Sequence, residues 1–431
     1  MGIEVRRMSR SYVRPAAATP AGSLELSAID RVVGLRHMVP SLHVYPPRGG
    51  AGEGQLQQQS PATVVREALG KALVDYYPLA GRLVDGPDDG PASARVECTG
   101  EGAWFVEAVA GCSLEDVARL ENYPFAIPEG DLLPDEAPGV EPLDLPLMMQ
   151  VTEFTCGGFV VGLTSSHAMT DGLGAGQFIN AIADYARGLP RPRVIPIWSR
   201  GELVPNPPKL LSGPLPVPRM LKLRYHTVDL SIDGIEHAKS QFLQSTGQRC
   251  STFDVAIARL WQARTRSLRL ADPSTRVSLG FFANTRHLMR GGASATAGFY
   301  GNCFYTVTVS AESGAVVGAD LAGVVAMIRD AKARLPAEFA RWAAGERVEP
   351  DPYDLSFSYE SLFVTDWTRL GFTDADYGWG TPSQVIPFAF QPFMPKAIIG
   401  APPAPKAGAR ITTQCVEEVN LTEFKDEMEA F

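Results

Sequence analysis

No run of 18 apolar residues occurs in the 431-residue chain, so no membrane-spanning helix is expected. Its start, MGIEVRRMSRSYVRP, lacks the apolar core of a secretory signal. Gly2 follows Met1, but Arg6 stands where a myristoylation signal needs Ser or Thr, and the end MEAF is neither a prenylation nor a peroxisomal tag. The cytosol is the expected compartment. Basic charge is in deficit: 39 Lys and Arg against 48 Asp and Glu leave a formal charge of -9, which argues against nucleic acid or an anionic membrane as the main partner. Cysteine is sparse. Cys98, Cys112, Cys156, Cys250, Cys303 and Cys415 are scattered without a CxxC, so they read as small buried hydrophobes and no metal is expected. No G-x-S-x-G is present, which removes the α/β hydrolases.

What is present is an ordinary globular composition on a chain too long for one core, so two domains are expected. A proline-rich stretch over 196–222 is the natural crossover, leaving an N-terminal domain over 1–195 and a C-terminal domain over 223–431. Each half mixes strands and helices in a similar order, and the only low-complexity tract is the Gln55–Gln59 loop. SPATVVREALGKALVDYY predicts a helix capped by Ser60, with Pro61 in its first turn and Val64, Val65, Ala68, Leu69, Ala72 and Leu73 in one stripe. RVECTGEGAWFVEAVAG predicts a hairpin turning at Gly100 to Gly102, and LMMQVTEFTCGGFVVGLTSSH a second turning at Gly157-Gly158. DLAGVVAMIRDAKARL and PAEFARWAAG predict two helices separated at Pro336.

The return strand of the second hairpin leads directly to His167, and a helix begins near Asp171. A histidine at a strand end suits general-base work because its ordinary pKa lies near neutrality. HxxxD spacing alone is weak, and a hydrogen-bonded structural histidine fits it as well. Asp171 has a bland task available as helix N-cap. GLGAG, following a strand, suggests a dinucleotide-binding turn, but Gln177 occupies the third glycine position.

HAMTDG, with YPLAGR at Tyr77 to Arg82, FYGN at Phe299 to Asn302 and DYGWG at Asp376 to Gly380, resembles the plant acyl-CoA-dependent acyltransferases of the BAHD family, in family order across most of the chain. Tyr377 replaces the Phe usual in DFGWG. The resemblance implies an α/β fold of mixed sheets: two chloramphenicol-acetyltransferase-like domains with the active-site channel between them. It implies that His167 is the base, and that Asp171 is turned away to pair with Arg286. Trp367 matches the position facing the tetrahedral oxyanion, with Thr365 beside it, although core packing also accounts for an indole. Asp376, Gly378, Trp379 and Gly380 are assigned to architecture, as is YPLAGR, where Pro78 and Gly81 stop the helix and Arg82 braces the turn.

A thioester is already activated, so proton removal and oxyanion stabilisation suffice, with no permanently bound cofactor; acyl-CoA is a co-substrate. Ser251 and Thr252 start a helix whose free N–H groups could hold a CoA phosphate, though ordinary capping explains Ser251 equally well. Small-molecule substrates and a monomer are the expectation.

Finer similarity, through LSAIDRVVGLRHMVPSLHVY, VECTGEGAWFVEA, QVTEFTCGGFVVG and VIPFAFQPFMPKAIIGAPP, points to the grass p-coumaroyl-CoA:monolignol transferases within that family. It implies p-coumaroyl transfer to sinapyl, coniferyl or p-coumaryl alcohol. Ser41, His43, Tyr300 and Phe304 are the expected acyl or acceptor contacts, with core packing the alternative for the aromatics. Shikimate-type relatives tend to carry hydroxyl-bearing residues at the positions of Val39 and His43, and of that polar set this chain retains only Ser41. Arg369 matches the arginine that grips a carboxylate there; a monolignol has none, so Arg369 turns to CoA or Asp366, or the acceptor differs. The alternatives are a feruloyl-CoA or other hydroxycinnamoyl-CoA transferase with a different alcohol, and a non-catalytic binder of CoA or phenolics.

Overall fold

The computed structural model describes residues 3–48, 59–86, 90–207, 217–355 and 357–430. Gln55 to Gln58 of the Gln-rich loop and 208–216 of the proline-rich crossover lie outside them. The strands are β1 (Val5–Val13), β2 (Ser23–Glu25), β3 (Met38–Tyr45), β4 (Arg82–Gly86), β5 (Gly90–Glu97), β6 (Ala103–Ala110), β7 (Leu147–Glu153), β8 (Phe159–Ser166), β9 (Leu223–Ser231), β10 (Arg276–Asn284), β11 (Phe304–Glu312), β12 (Ser361–Asp366), β13 (Gln384–Pro387), β14 (Lys396–Gly400) and β15 (Gly408–Glu417).

The chain divides into two compact units, and neither is contiguous in sequence. Met1–Asn206 is joined by Met289–Cys303 and Arg369–Ala389; the second unit holds Pro207–Leu288, Phe304–Thr368 and Phe390–Phe431. The expected division at 196–222 into consecutive domains is therefore corrected. FYGN and DYGWG, both C-terminal in sequence, fold with the first unit.

In the first unit a six-stranded sheet runs β1-β6-β7-β8-β3-β13. β7 and β8 form the expected antiparallel hairpin, closed where the Phe154 N–H donates to Gly158 O at 2.9 Å and Gly157 takes φ +82°. The other expected hairpin does not form. β6 pairs with β1 and β7 of this sheet, while β5 joins β2 and β4 in a separate three-stranded sheet. Gly100 and Gly102 take φ +68° and +105°, and the Gly102 N–H is drawn to Ala80 O at 3.0 Å. The apolar arms thus leave each other for different cores. β13 closes the sheet beside β3, a pairing more than 300 residues distant in sequence that no local pattern could announce.

One long helix packs on β7 and β1 of this sheet, and a second packs on that helix. Pro61–Asp75 is capped by Ser60, whose side chain accepts from the Thr63 N–H, and its stripe of Val64, Val65, Ala68, Leu69, Ala72 and Leu73 is buried. Each such branched side chain contributes about 1.5–3 kcal/mol of transfer free energy. Against it packs Gly172–Ala186, the helix that follows His167.

The second unit has a six-stranded sheet ordered β11-β10-β12-β14-β15-β9, with β12 parallel to both neighbours. Helices Ile232–Thr246, Thr252–Ser267, Leu321–Ala343 and Glu418–Glu429 pack together over it. Leu321–Ala343 is one helix where two were expected: it runs through Pro336 because Leu335 and Phe339 on either side are buried, and that packing offsets the lost backbone bond. All six cysteines are free thiols; Cys98, Cys303 and Cys415 are buried, but Cys112, Cys156 and Cys250 only partly. Among the described residues no helix is long and apolar enough to cross a membrane, and no cluster of three or more His, Cys, Asp or Glu could hold a metal.

Candidate active site

β8 leaves the first sheet at Ser166, and Ala168, Met169 and Thr170 are buried while His167 between them stays partly exposed. The turn therefore presents one polar side chain and hides the rest. The His167 N–H donates to His37 O at 2.9 Å, and the two imidazoles lie 5.2 Å apart between centroids. On the other side of its Cα, His167 O accepts from Asn302 Nδ2 at 2.8 Å. Two residues on, Met169 O accepts from Arg200 Nη2 at 2.9 Å.

Asp171 ends the turn as the N-cap of Gly172–Ala186, as its place in the sequence implies: Oδ1 accepts from the Gly174 N–H at 3.1 Å, and Oδ2 from the Cys303 N–H at 3.0 Å. Both carboxylate oxygens thus serve main-chain donors. The GLGAG glycines serve packing rather than a nucleotide. A Cβ at Gly176 would stand 1.7 Å from Leu370 O, so only glycine there admits the 370–371 segment, whereas one at Gly172 would meet the movable end of the Leu370 side chain, Cδ1 at 2.4 Å. Asn180 Nδ2 then donates to Gly371 O at 2.7 Å. Gln177, at the would-be third glycine, donates to the Tyr76 hydroxyl and to Gly298 O.

DYGWG builds a turn in the same unit. Asp376 Oδ1 accepts from the Gly378 and Gly380 N–H groups at 2.7 and 2.9 Å, and the glycines take φ +99° and +86°. Trp379 carries the Arg48 guanidinium 3.8 Å from its ring centroid. The Tyr377 ring stacks obliquely on Tyr45, whose hydroxyl donates to Ala375 O. At YPLAGR, Arg82 donates to Gly81 O and Gly102 O and pairs with Glu101 at 3.1 Å.

In the second unit β12 ends at Asp366, whose Oδ1 accepts from the Thr368 N–H and hydroxyl at 2.9 and 2.6 Å. Thr365 and Trp367 are each partly exposed, and the Trp367 N–H donates to Ile399 O at 2.7 Å. Arg286 follows β10, its guanidinium 3.4 Å from Asn284 Oδ1.

Several expected contacts take other roles. Ser41 and His43 are 2% and 1% exposed and bond to each other at 3.1 Å, with the His43 ring edge-on to Phe372, so neither offers a free polar group at the surface of its unit. Burial lowers the His43 pKa to about 3, which keeps it neutral. Tyr300 is buried with Tyr76 and Trp198 in the first unit, whereas Phe304 packs edge-on to Phe282 and Tyr353 in the second. The two aromatics do not share a pocket within either unit. Ser251 forms a full capping box with Asp254, its hydroxyl oxygen accepting from the Asp254 N–H, and the Asp254 carboxylate pairs with Lys332 at 2.7 Å, so the residue expected at phosphate is also the helix cap. Thr252 remains partly exposed as the first helical residue. Arg369 is exposed, and among the described residues it makes no ion pair.

Asp30, Arg200 and Asn302 are buried beside the turn, and the sequence offered little sign of the first two. Asp30 and Arg200 pair at 2.8 Å, 170 positions apart; removing one partner of such a buried pair costs about 3–5 kcal/mol. Their only local signal is an ionisable residue set among apolar ones. His37, packed on His167, was likewise not singled out.

The chain matches the Transferase family over residues 3–431. Acyl transferase 4 of Oryza sativa subsp. japonica is 67% identical over 443 residues, covering 100% of both chains. Myricetin 3-O-glucosyl 1,2-rhamnoside 6'-O-caffeoyltransferase AT2 of Crocosmia x crocosmiiflora is 39% identical over 449 residues, again with 100% of both covered. Vinorine synthase has a similar solved structure, with a TM-score of 0.77 at 21% identity over 99% of this chain and 98% of that one. F. graminearum TRI101 complexed with ethyl coenzyme A gives 0.74 at 14% identity over 96% and 99%. A mixed α/β fold of two sheet-bearing, chloramphenicol-acetyltransferase-like domains and an HxxxD turn define the class as acyl-CoA-dependent acyltransferases. The chain belongs to the transferase family of plant acyltransferases known as BAHD.

Proposed function

We propose that the enzyme transfers a p-coumaroyl group from its CoA thioester to the primary alcohol of a monolignol, namely sinapyl, coniferyl or p-coumaryl alcohol. The observation that carries the chemistry is the partly exposed imidazole of His167 on an otherwise buried turn. The His167 imidazole takes the alcohol proton as the oxygen attacks the thioester carbonyl carbon. Trp367, through its indole N–H, and Thr365, through its hydroxyl, donate to the oxyanion that forms. Collapse breaks the C–S bond, and the imidazolium returns its proton to the departing sulfur, leaving ester and free CoA. Asp171, through its bonds to the Gly174 and Cys303 N–H groups, holds the turn rather than relaying charge. The CoA phosphates lie at the start of the Thr252–Ser267 helix, where the Ser251 and Thr252 hydroxyls and the neighbouring Lys332 supply the donors.

A hydroxycinnamoyl donor is supported by the caffeoyltransferases at 38–39% identity, whose group differs from p-coumaroyl by one hydroxyl. An acceptor without a triol is supported by the burial of Ser41 and His43, which bond to each other through Ser41 Oγ and His43 Nε2. The exposed, ion-pair-free Arg369 favours a second reading, a feruloyl or other hydroxycinnamoyl transferase whose alcohol carries an acid group. In either case the enzyme works as a cytosolic monomer on small molecules. The test is one matrix of purified enzyme against p-coumaroyl-, caffeoyl- and feruloyl-CoA with sinapyl, coniferyl and p-coumaryl alcohols and shikimate. Highest kcat/KM for p-coumaroyl-CoA with a monolignol is expected. Preference for shikimate would replace the acceptor, and no turnover with any pair would return the chain to a binding role.

A further inference from the structure

Three buried side chains far apart in sequence converge on the main chain of the His167 turn. The Asp30 carboxylate receives five donors: Arg200 Nε at 2.8 Å, Asn302 N and Nδ2 each at 2.8 Å, and the Ser27 N–H and hydroxyl at 3.0 and 2.8 Å. Two of these donors have a second arm, and each reaches the turn. Asn302 Nδ2 uses its other hydrogen on His167 O at 2.8 Å, and Arg200 Nη2 donates to Met169 O at 2.9 Å. A primary amide has two such hydrogens and one oxygen, so the charge on Asp30 selects the amide orientation that aims nitrogen at His167.

We propose that Asp30, Arg200 and Asn302 are positioning residues for catalysis, a buried clamp that fixes the direction in which His167 projects its imidazole. The inference rests on the reading of His167 as general base. With the His167 N–H held by His37 O and the carbonyl held by Asn302, the peptides on both sides of the His167 Cα are pinned, and the Cα–Cβ bond can point only one way. The clamp touches no reacting atom. A general base must meet its proton within hydrogen-bond reach, and a displacement of about 1 Å can cost on the order of 100-fold in rate.

The test compares Asn302→Ala and Arg200→Lys with the wild type in kcat, KM for both substrates, thermal unfolding, and the imidazole nitrogen signals of His167 in 15N-histidine-labelled protein. Arg200→Lys keeps a cation opposite Asp30 but loses the planar fork that also reaches Met169 O, which separates the clamp from the ion pair. Expected in folded protein is a fall in kcat of about 10- to 100-fold for Asn302→Ala and a smaller fall for Arg200→Lys, with KM little changed and the His167 signals shifted or broadened. Folded variants with wild-type kcat and unmoved His167 signals would overturn the proposal, and so would loss of folding in both, which would return the network to the scaffold. His167→Ala, assayed alongside, separates the two readings. Were it to keep turnover, the general-base role would fall, and the clamp would stand or fall on whether the His167 signals move in the two clamp variants.

Discussion

β8 of the first unit runs out into His167 and β12 of the second into Trp367, yet the chain is held in opposite ways at the two ends. Past β12 the hold is local: the Trp367 N–H continues the ladder to Ile399 O, and Asp366 folds back on Thr368 two residues away. Past β8 the His167 N–H takes one more step of the β3–β8 ladder to His37 O, but the carbonyls of the turn are caught by Asn302 and Arg200 from 135 and 31 positions away. A hydrogen-bond donor at the end of a strand inherits its direction from the ladder. The carbonyls of the turn have no strand partner, so buried polar side chains must hold them.

Four experiments would break or sharpen this contrast. The largest effect is expected of His167→Ala, with transfer falling by about 100- to 10,000-fold while circular dichroism and CoA binding by calorimetry stay as in the wild type. Substantial residual turnover would remove the base from the first end. For Trp367→Phe, a fall in kcat of about 10-fold or more with little change in KM is expected from steady-state kinetics. A change confined to thermal stability would return the indole to packing.

Asp171→Ala loses the cap on Gly174 and leaves the buried Cys303 N–H without its carboxylate, at a cost of about 2–4 kcal/mol in denaturant unfolding. Asp171→Asn keeps the cap and should lose less. Equal catalytic loss in both, with native stability, would make Asp171 a relay instead. The smallest effect concerns His43, buried where His167 is half-open. Its pKa of about 3 in the fold lies below the usual 6.5, so the unfolded chain binds the proton first. The stability this group confers is complete above pH 6.5 and lost as pH falls toward 3, at up to about 1.4 kcal/mol per pH unit. Urea unfolding between pH 7 and 4 should therefore fall less steeply in His43→Gln than in the wild type. Parallel curves would show that His43 is protonated within the fold.

Much of the site could be read along the chain because its signals are short-range. The corner from β8 into a capped helix follows from a hairpin, a histidine and an aspartate within a few positions, and Ser60 and Asp171 cap as their spacing implies. Ser251 shows the same rule at an expected ligand site: the capping box that makes its helix start legible engages the hydroxyl oxygen as acceptor. The RVEC and WFVE arms mislead because apolar alternation specifies a strand without specifying its neighbour, and β5 and β6 go to different sheets. Asp30 and Arg200 escape because nothing near either residue records the other.

From the amino-acid order alone followed the two mixed α/β domains, helices with their caps such as Ser60 and Asp171, and a family of acyltransferases. Which segments belong to which unit, why Gly176 must be glycine, and what fixes the main chain at His167 depend on groups meeting across tens to hundreds of residues. Periodicity and capping act within one or two turns of chain, and burial of a carboxylate among its donors acts only once the chain has closed around it.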